Sequence, residues 1–244
     1  LTLPPIYPII DFSSFAARPD PIWAIVRYAE ELIGAGATLI QLRDKSQPEQ
    51  PGRFLSCARE LRRVTFDRAT LIINDRVDIC LAADADGVHL GQDDLSPAAA
   101  RKIFASLISH PIAQSLEKSQ LPRERMGHPE GSSIEVRGRR NKLLIGFSNH
   151  NLSQVREADA LPIDYIAIGP VFATGSKANP DPVVGLDGVK QARQATRKPL
   201  VAIGGITRAN CRQVREAGAD SVAVISDLLE SPAKAVADFL RVLG

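Results

Sequence analysis

Short apolar runs recur along the chain, and several of them end in a cluster of polar residues. Residues 37–40 run into Gln41-Leu42-Arg43-Asp44-Lys45, residues 71–73 into Asn74-Asp75, residues 87–90 into Gly91-Gln92-Asp93-Asp94, and residues 200–203 into Gly204-Gly205. Apolar runs of this length, separated by stretches with helical spacing, predict parallel strands buried on both faces. Further strands are predicted at 6–11, 142–147, 164–168 and 221–225. Helices are predicted between them at 21–33, closed by Gly34 and Gly36, at 54–64, and at 77–83 with Asp75 as a cap. Ser96-Pro97 opens another, with an N-cap followed by proline at the first helical position. Thr207 is expected to cap a helix reaching Glu216, and a final helix runs to Leu243.

Strands alternating with helices at a spacing of roughly 30 residues are βαβ units, so the fold class is α/β with a parallel sheet. An open, doubly wound sheet is the structural alternative, but no Gly-x-Gly-x-x-Gly turn follows the first strand. At 244 residues the chain is close to the ~250 typical of a closed barrel. The expected architecture is therefore a single (β/α)8 TIM barrel over residues 1–244, with every C-terminal strand end on one face, where such barrels carry their chemistry.

Two segments break the rhythm. Residues 108–141 are polar, with Pro111, Pro122, Pro129 and five arginines from Arg123 to Arg140, and form an insertion between the fourth helix and the fifth strand. Such an insertion should emerge on the bottom face, either as a solvated, partly disordered segment or as a subunit contact in a homo-oligomer. Residues 169–185 join a strand to a helix and are rich in Gly, Pro and Lys. Connections beyond about 12–15 residues are commonly lids, and this one opens on the active face.

Composition narrows the classes. Thirty basic residues against 28 acidic ones, with no basic stripe interleaved with aromatics, leave nucleic acid an unexpected partner. Cys57, Cys80 and Cys211 lie far apart without metal-ligand spacing. They read as buried thiols of a reducing compartment, hence a cytoplasmic protein. Residues 1–10 are apolar but carry Pro4, Pro5 and Pro8 and no basic flank, unlike a signal peptide or a membrane span.

The strand-end clusters suggest the chemistry. Alternation along a strand points Gln41, Arg43 and Lys45 one way and Leu42 the other; if Leu42 faces the helices, the polar three face the barrel mouth. Two cations buried without partners would cost several kcal/mol each, so they imply an anion, and a guanidinium fork beside a point charge suits phosphate or diphosphate. An ion-paired rim, for instance to Asp44, is the other reading. Asp75 and Asp94 offer carboxylates from neighbouring strand ends, the donor set with which Mg2+ is shared with substrate phosphates; Asp78, Asp84, Asp86 and Asp93 are nearby alternatives. Gly204-Gly205 with Ile225-Ser226 sit where barrels hold a phosphate monoester on backbone N–H groups, or else form a tight turn. His89, within a strand, reads as structural, and His150 as a loop histidine near the mouth.

Taken together, Gln41-x-Arg43-x-Lys45, Asn74-Asp75, His89-x-Gly91-Gln92-x-Asp94, Gly146-x-Ser148-x-His150, Gly169-Pro170 through Thr174-x-Ser176-Lys177, and Ile203-Gly204-Gly205-Ile206 resemble the thiamine-phosphate synthase family. The resemblance covers most of the chain outside the insertion. It implies a transferase that joins an aminopyrimidine methyl diphosphate to a thiazole phosphate, releases pyrophosphate and uses Mg2+. Carried over residue by residue, it implies that Gln41, Arg43, Lys45, Asn74, Ser148 and Lys177 contact the pyrimidine diphosphate, with Arg43, Lys45, Ser148 and Lys177 as catalytic groups. Asp75 and Asp94 are implied as the metal ligands. Thr174, Gly175, Ser176, Gly205, Ile225 and Ser226 are implied around the thiazole phosphate; Ser176 stands where many members have threonine. The resemblance also implies a dissociative displacement, which fits a site with no evident nucleophile–base pair. Two other readings remain open: a thiazole tautomerase of the same superfamily, with His150 shuttling a proton, and a non-catalytic protein that binds a thiamine precursor.

Overall fold

In a computed structural model of the chain, described for residues 1–45, 51–109, 143–174 and 181–244, the predicted alternation closes into a TIM barrel. The strands are β1 Ile6–Asp11, β2 Leu39–Arg43, β3 Thr70–Asn74, β4 Gly87–Leu90, β5 Leu144–Asn149, β6 Tyr165–Ile168, β7 Leu200–Ile203 and β8 Ser221–Val224. The helices are α1 Pro21–Gly34, α2 Pro51–Thr65, α3 Val77–Ala82, α4 Pro97–Ser109, α5 Leu152–Asp159, α6 Gly185–Ala195, α7 Cys211–Glu216 and α8 Pro232–Leu243. Each strand pairs in parallel with the next, and β8 closes on β1 with Ile6 opposite Val222 and Pro8 opposite Val224.

Strand alternation divides the core in two. Ile6, Ile10, Ile40, Leu42, Leu71, Ile73, Val88 and Leu90 pack outward against the helices. Tyr7, Ile9, Leu39, Ile72, Tyr165, Val201 and Ala223 fill the barrel itself. Fully burying one such aliphatic side chain is worth about 1.5–3 kcal/mol, so both layers hold the ring closed. Helix α1 shows how the outer layer is written in sequence. Asp20 Oδ1 accepts the Trp23 N–H at 3.0 Å, Pro21 follows the cap, and Ile25, Tyr28, Ala29 and Leu32 form the buried stripe.

The bottom of the barrel carries a repeated clamp. Asp86, just before β4, accepts the Leu71 N–H at 2.8 Å and pairs with Arg62 at 3.2 Å. Asp164, before β6, accepts the Ile145 N–H at 2.9 Å and pairs with Arg101 at 2.6 Å. Asp220, before β8, accepts the Leu200 N–H at 2.8 Å and pairs with Arg193 at 2.8 Å. One acid thereby ties two strand starts and a helix together, satisfying a backbone donor that the ladder leaves over.

Several sequence expectations need correction or placement. Thr207 is not a cap: α7 begins at Cys211, and the Asn210 side chain instead accepts the Thr207 N–H at 2.8 Å, forming a turn before the helix. Asp75 does not cap α3; Arg76 occupies that position without a side-chain cap bond, because the Asp75 carboxylate is directed to Lys45. Strand β5 runs to Asn149, so Ser148 lies within it rather than after it. Ser96 does cap α4, its Oγ accepting the Ala99 N–H at 3.3 Å. Most of the 108–141 insertion lies outside the described residues.

Candidate active site

The cationic strand end is built as the alternation predicts. Leu39, Gln41 and Arg43 point into the barrel, while Ile40 and Leu42 are buried under the helices. Arg43 is ion-paired with Asp11 at the end of β1. Asp11 is itself fixed, its other oxygen accepting the Ser13 N–H at 3.0 Å and the Ser13 hydroxyl at 2.6 Å. Lys45 Nζ reaches Asp75 Oδ2 at 2.7 Å, which ties the end of β2 to the end of β3. The ion-paired rim is therefore real, but through Asp11 and Asp75; Asp44 pairs with Arg53 at 2.8 Å instead.

Asp75 sits under strain of two kinds. Its φ of 61° is the left-handed region that non-glycine residues adopt at a cost, although Asp tolerates it better than most. Its N–H donates to the His89 carbonyl at 2.7 Å, which holds β3 to β4 at the rim. The carboxyl group lies within hydrogen-bonding reach of Asp94, whose Oδ2 accepts the Gly91 N–H at 2.7 Å. Burial and then the neighbouring Asp94 push the Asp75 carboxyl up to about 6, against the opposing pull of Lys45. Two carboxylates this close require a proton or a cation between them. Of the alternatives, Asp86 belongs to the bottom clamp and Asp78 is held by Arg76 at 2.5 Å.

Asn74 ends β3 beside this pair, and its buried Nδ2 has no partner among the described residues, leaving a donor for a ligand. Ser148 faces the interior from β5 and contacts His89, with Gln92 Nε2 donating to its backbone carbonyl at 2.5 Å.

A second cradle occupies another arc of the same rim. Gly204 and Gly205 follow β7 with φ of 100° and 63°, and a Cβ on either would strike the connection after β6, at 2.6 Å from Pro170 Cα or from the Ala173 carbonyl. Glycine lets the two loops lie against each other, joined by Val171 N–H to Ile203 O at 2.9 Å and Phe172 N–H to Gly204 O at 3.0 Å. Ile225 and Ser226 lead into a 3-10 turn at Ser226–Leu228. The N–H groups of Gly205, Ile225 and Ser226 make no backbone hydrogen bond among the described residues, which leaves three donors at the ends of β7 and β8, where barrels of this kind bind phosphate.

A family model described as thiamine monophosphate synthase matches residues 15–120 and 127–228. The chain belongs to the thiamine monophosphate synthase family. It is 44% identical to a thiamine-phosphate synthase of Koribacter versatilis, over 100% of this chain and 97% of that one. It is 39% identical to one of Chloroflexus aurantiacus, over 81% and 74%. Among solved structures it is similar to a thiamine phosphate pyrophosphorylase from Pyrococcus furiosus, with 28% identity, a TM-score of 0.72, and coverage of 98% and 95%. A geranylgeranylglyceryl phosphate synthase from Thermoplasma acidophilum, at 14% identity and a TM-score of 0.61, shares the fold.

Within this family member, Gln41, Arg43, Lys45, Asn74, Asp75, Asp94 and Ser148 come together at the ends of β2 to β5, and Gly205, Ile225 and Ser226 at β7 and β8. Thr174 is half-buried in the connection after β6; Gly175, Ser176 and Lys177 lie outside the described residues. His150 is tethered beside that connection, its Nδ1 at 2.9 Å from the Gly169 carbonyl and 3.4 Å from Asp181. Sequence reasoning missed Asp11, Tyr7 and Tyr165. The signal for Asp11 was present: it ends a strand, in the phase that puts Tyr7 and Ile9 inside.

Proposed function

We propose that this enzyme condenses a hydroxymethylpyrimidine diphosphate with a thiazole phosphate to thiamine phosphate and pyrophosphate, with Mg2+ and by dissociative departure of the diphosphate. Membership of the family supports the condensation itself. The observation that carries the route is the convergence of Arg43, Lys45, Asp75 and Asp94 at one rim, with a separate amide cradle at another arc. Two anionic substrates need two anion sites, and the chain offers two.

The acidic pair fits Mg2+. Three carboxylates, Asp11, Asp75 and Asp94, face two cations at this rim, so a bare diphosphate would meet net negative charge. Asp75 and Asp94 would hold the ion, which when bound supplies Lewis-acid neutralisation of the diphosphate oxygens. Arg43, oriented by the anchored Asp11, offers its guanidinium to the same oxygens, and Lys45 is free to move from Asp75 to the diphosphate. Lys177 is assigned to the leaving group as well. Ser148 donates a hydrogen bond to it, and Gln41 and Asn74 orient the pyrimidine. Thr174, Gly175 and Ser176, with the N–H groups of Gly205, Ile225 and Ser226, hold the thiazole phosphate so that its ring nitrogen faces the departing methylene. Catalysis is then positioning plus stabilisation of a leaving anion, with no protein nucleophile.

The test is product formation from the two substrates with and without a chelator. Formation that stops with chelator and returns with Mg2+ supports the reading; isomerisation of the thiazole alone, or binding without turnover, replaces it. We place the enzyme in the cytoplasm, a reading supported by three buried, unpaired cysteines. Among the described residues no helix is long and apolar enough to cross a membrane.

A further inference from the structure

Beneath the rim, the polar residues inside the barrel form one unbroken hydrogen-bonded chain. Gln41 Nε2 lies 2.9 Å from Tyr7 Oη, and Tyr7 Oη 2.9 Å from Tyr165 Oη. Tyr165 Oη lies 3.1 Å from His89 Nδ1, and His89 Nε2 2.8 Å from Ser148 Oγ. The chain thus crosses the interior from β2 through β1, β6 and β4 to β5. Its middle is rigid. The Tyr165 ring stacks on His89 with centroids 5.6 Å apart and meets Tyr7 edge-on at 6.0 Å. A Cβ on Gly146 would fall inside the Tyr165 ring, so the sequence vacates that place for it. Barrel closure does not require polar groups here, since Ile9, Ile72, Val201 and Ala223 fill other interior positions.

Proton bookkeeping gives the chain a direction. The Gln41 Nε2 has only protons to give, so Tyr7 Oη accepts there and must spend its own single proton on Tyr165. Tyr165 then accepts from Tyr7 and donates to His89 Nδ1. An uncharged imidazole that accepts at Nδ1 carries its proton on Nε2, which points at Ser148. Ser148 Oγ therefore accepts from the ring, and its own proton is left for the barrel mouth.

We propose that Tyr7, Tyr165 and His89 are positioning residues that lock His89 as the Nε2–H tautomer and thereby commit the Ser148 hydroxyl to donating to the diphosphate leaving group. The inference rests on the placement of Ser148 against that diphosphate. The reverse polarity fails at both ends. It would set the Tyr7 proton against the Gln41 N–H and turn Ser148 lone pairs toward anionic oxygens. Rotating the Gln41 amide removes the first clash and leaves the second. The ring lies buried between Tyr165 and Ser148, and burial pushes both phenols up, so each member keeps the one proton the count assigns it. A donor fixed before the diphosphate departs costs no reorganisation as charge develops, and a directional chain in a low-dielectric interior reinforces each link.

Nitrogen-15 NMR of the histidine rings, with His89 assigned by its loss in His89→Gln, reads the tautomer directly in the wild-type enzyme. The Nε2–H form is expected with and without added pyrophosphate; the Nδ1–H form in either state overturns the proposal. Tyr165→Phe should replace the single tautomer by a mixture, and an unchanged tautomer there would remove the chain as its cause. Kinetics give an independent reading. Glutamine at 89 places an amide N–H where Nε2 sits, whereas asparagine places it near Nδ1, short of Ser148. His89→Gln is expected to stay close to wild type, while His89→Asn loses on the order of 100-fold in kcat, with a smaller change in KM for the pyrimidine diphosphate. Equal losses in the two variants count against the donor role. Normal turnover in Ser148→Ala overturns the placement of Ser148 and the proposal with it. A slow Ser148→Ala enzyme with His89 as Nδ1–H overturns the proposal alone.

Discussion

Replacing Asp75 with asparagine should make the metal-free protein more stable while nearly abolishing turnover. Burial and Asp94 raise the Asp75 carboxyl from the ordinary 3.8 to about 6. The folded state therefore binds a proton more tightly than the unfolded chain, and ionising Asp75 costs stability. The penalty is absent below about pH 4, grows between the two values, and is complete above about pH 6 to 7. At 1.36 kcal/mol per pH unit the ceiling is about 3 kcal/mol; partial solvent access reduces this to roughly 1–2 kcal/mol. Asparagine removes the charge and can donate its Nδ2–H to Asp94. The lost Lys45 pair matters little to stability, because that lysine side chain is 53% exposed. In chelator, thermal melts of the two proteins should coincide near pH 4 and separate by roughly 2–6 °C at pH 8, the variant melting higher. Added Mg2+ should narrow or reverse the gap at pH 8 by stabilising only the wild type. A variant that melts lower at pH 8, or a gap as wide at pH 4, would refute the electrostatic account of this pair.

Three other substitutions test separate parts. Arg43→Ala should lower kcat by two or more orders of magnitude in a protein that still folds but melts at a lower temperature, because the buried Asp11 loses its counter-ion and keeps only its Ser13 bonds; near-normal turnover would remove Arg43 from the leaving-group site. Gly205→Ala adds a Cβ at 2.6 Å from the Ala173 carbonyl in a backbone with φ of 63°, so KM for the thiazole phosphate should rise about tenfold or more while pyrimidine diphosphate binding, followed by calorimetry, is unchanged. Asp86→Ala strips Arg62 of its partner and the Leu71 N–H of its acceptor, so urea unfolding should show a loss of about 3 kcal/mol with kcat at 25 °C unaltered.

The sequence carried the barrel because its strands are buried on both faces and its helices on one, which writes two different periods into the chain. The alternation at Gln41 and Arg43 correctly put them inside the barrel, and the paired glycines marked where the loops after β6 and β7 lie against each other. What stayed hidden was how charges share partners. Arg43 could be seen to need an anion, but that Asp11 supplies one follows only from the β1–β2 register, which sets Asp11 opposite Arg43. Tyr7 and Tyr165 went unremarked, since nothing local shows that they meet across 158 residues. Helix starts were misplaced where a turn intervened, as at Thr207, whose own N–H is taken by the Asn210 side chain in a turn ahead of the helix.

Acid–base pairs occur at both ends of this barrel, yet they behave as different devices. At the bottom each acid also accepts a strand N–H, so Asp86, Asp164 and Asp220 have every reason to stay and none to exchange. At the rim the pairs are graded. Asp11 is saturated by Ser13 and holds Arg43 in one direction, a fixed cation aimed at the mouth. Asp75 is instead pressed against Asp94 in a costly backbone conformation, with an exposed lysine as its counter-ion. That pair is the weakest of the set, and the arrival of a divalent cation on the carboxylates and a diphosphate on the lysine would relieve both repulsions together. The chain thus keeps its strain at the rim, where the proposed ligands would discharge it, and its well-satisfied charges at the bottom, where they tie strands to helices.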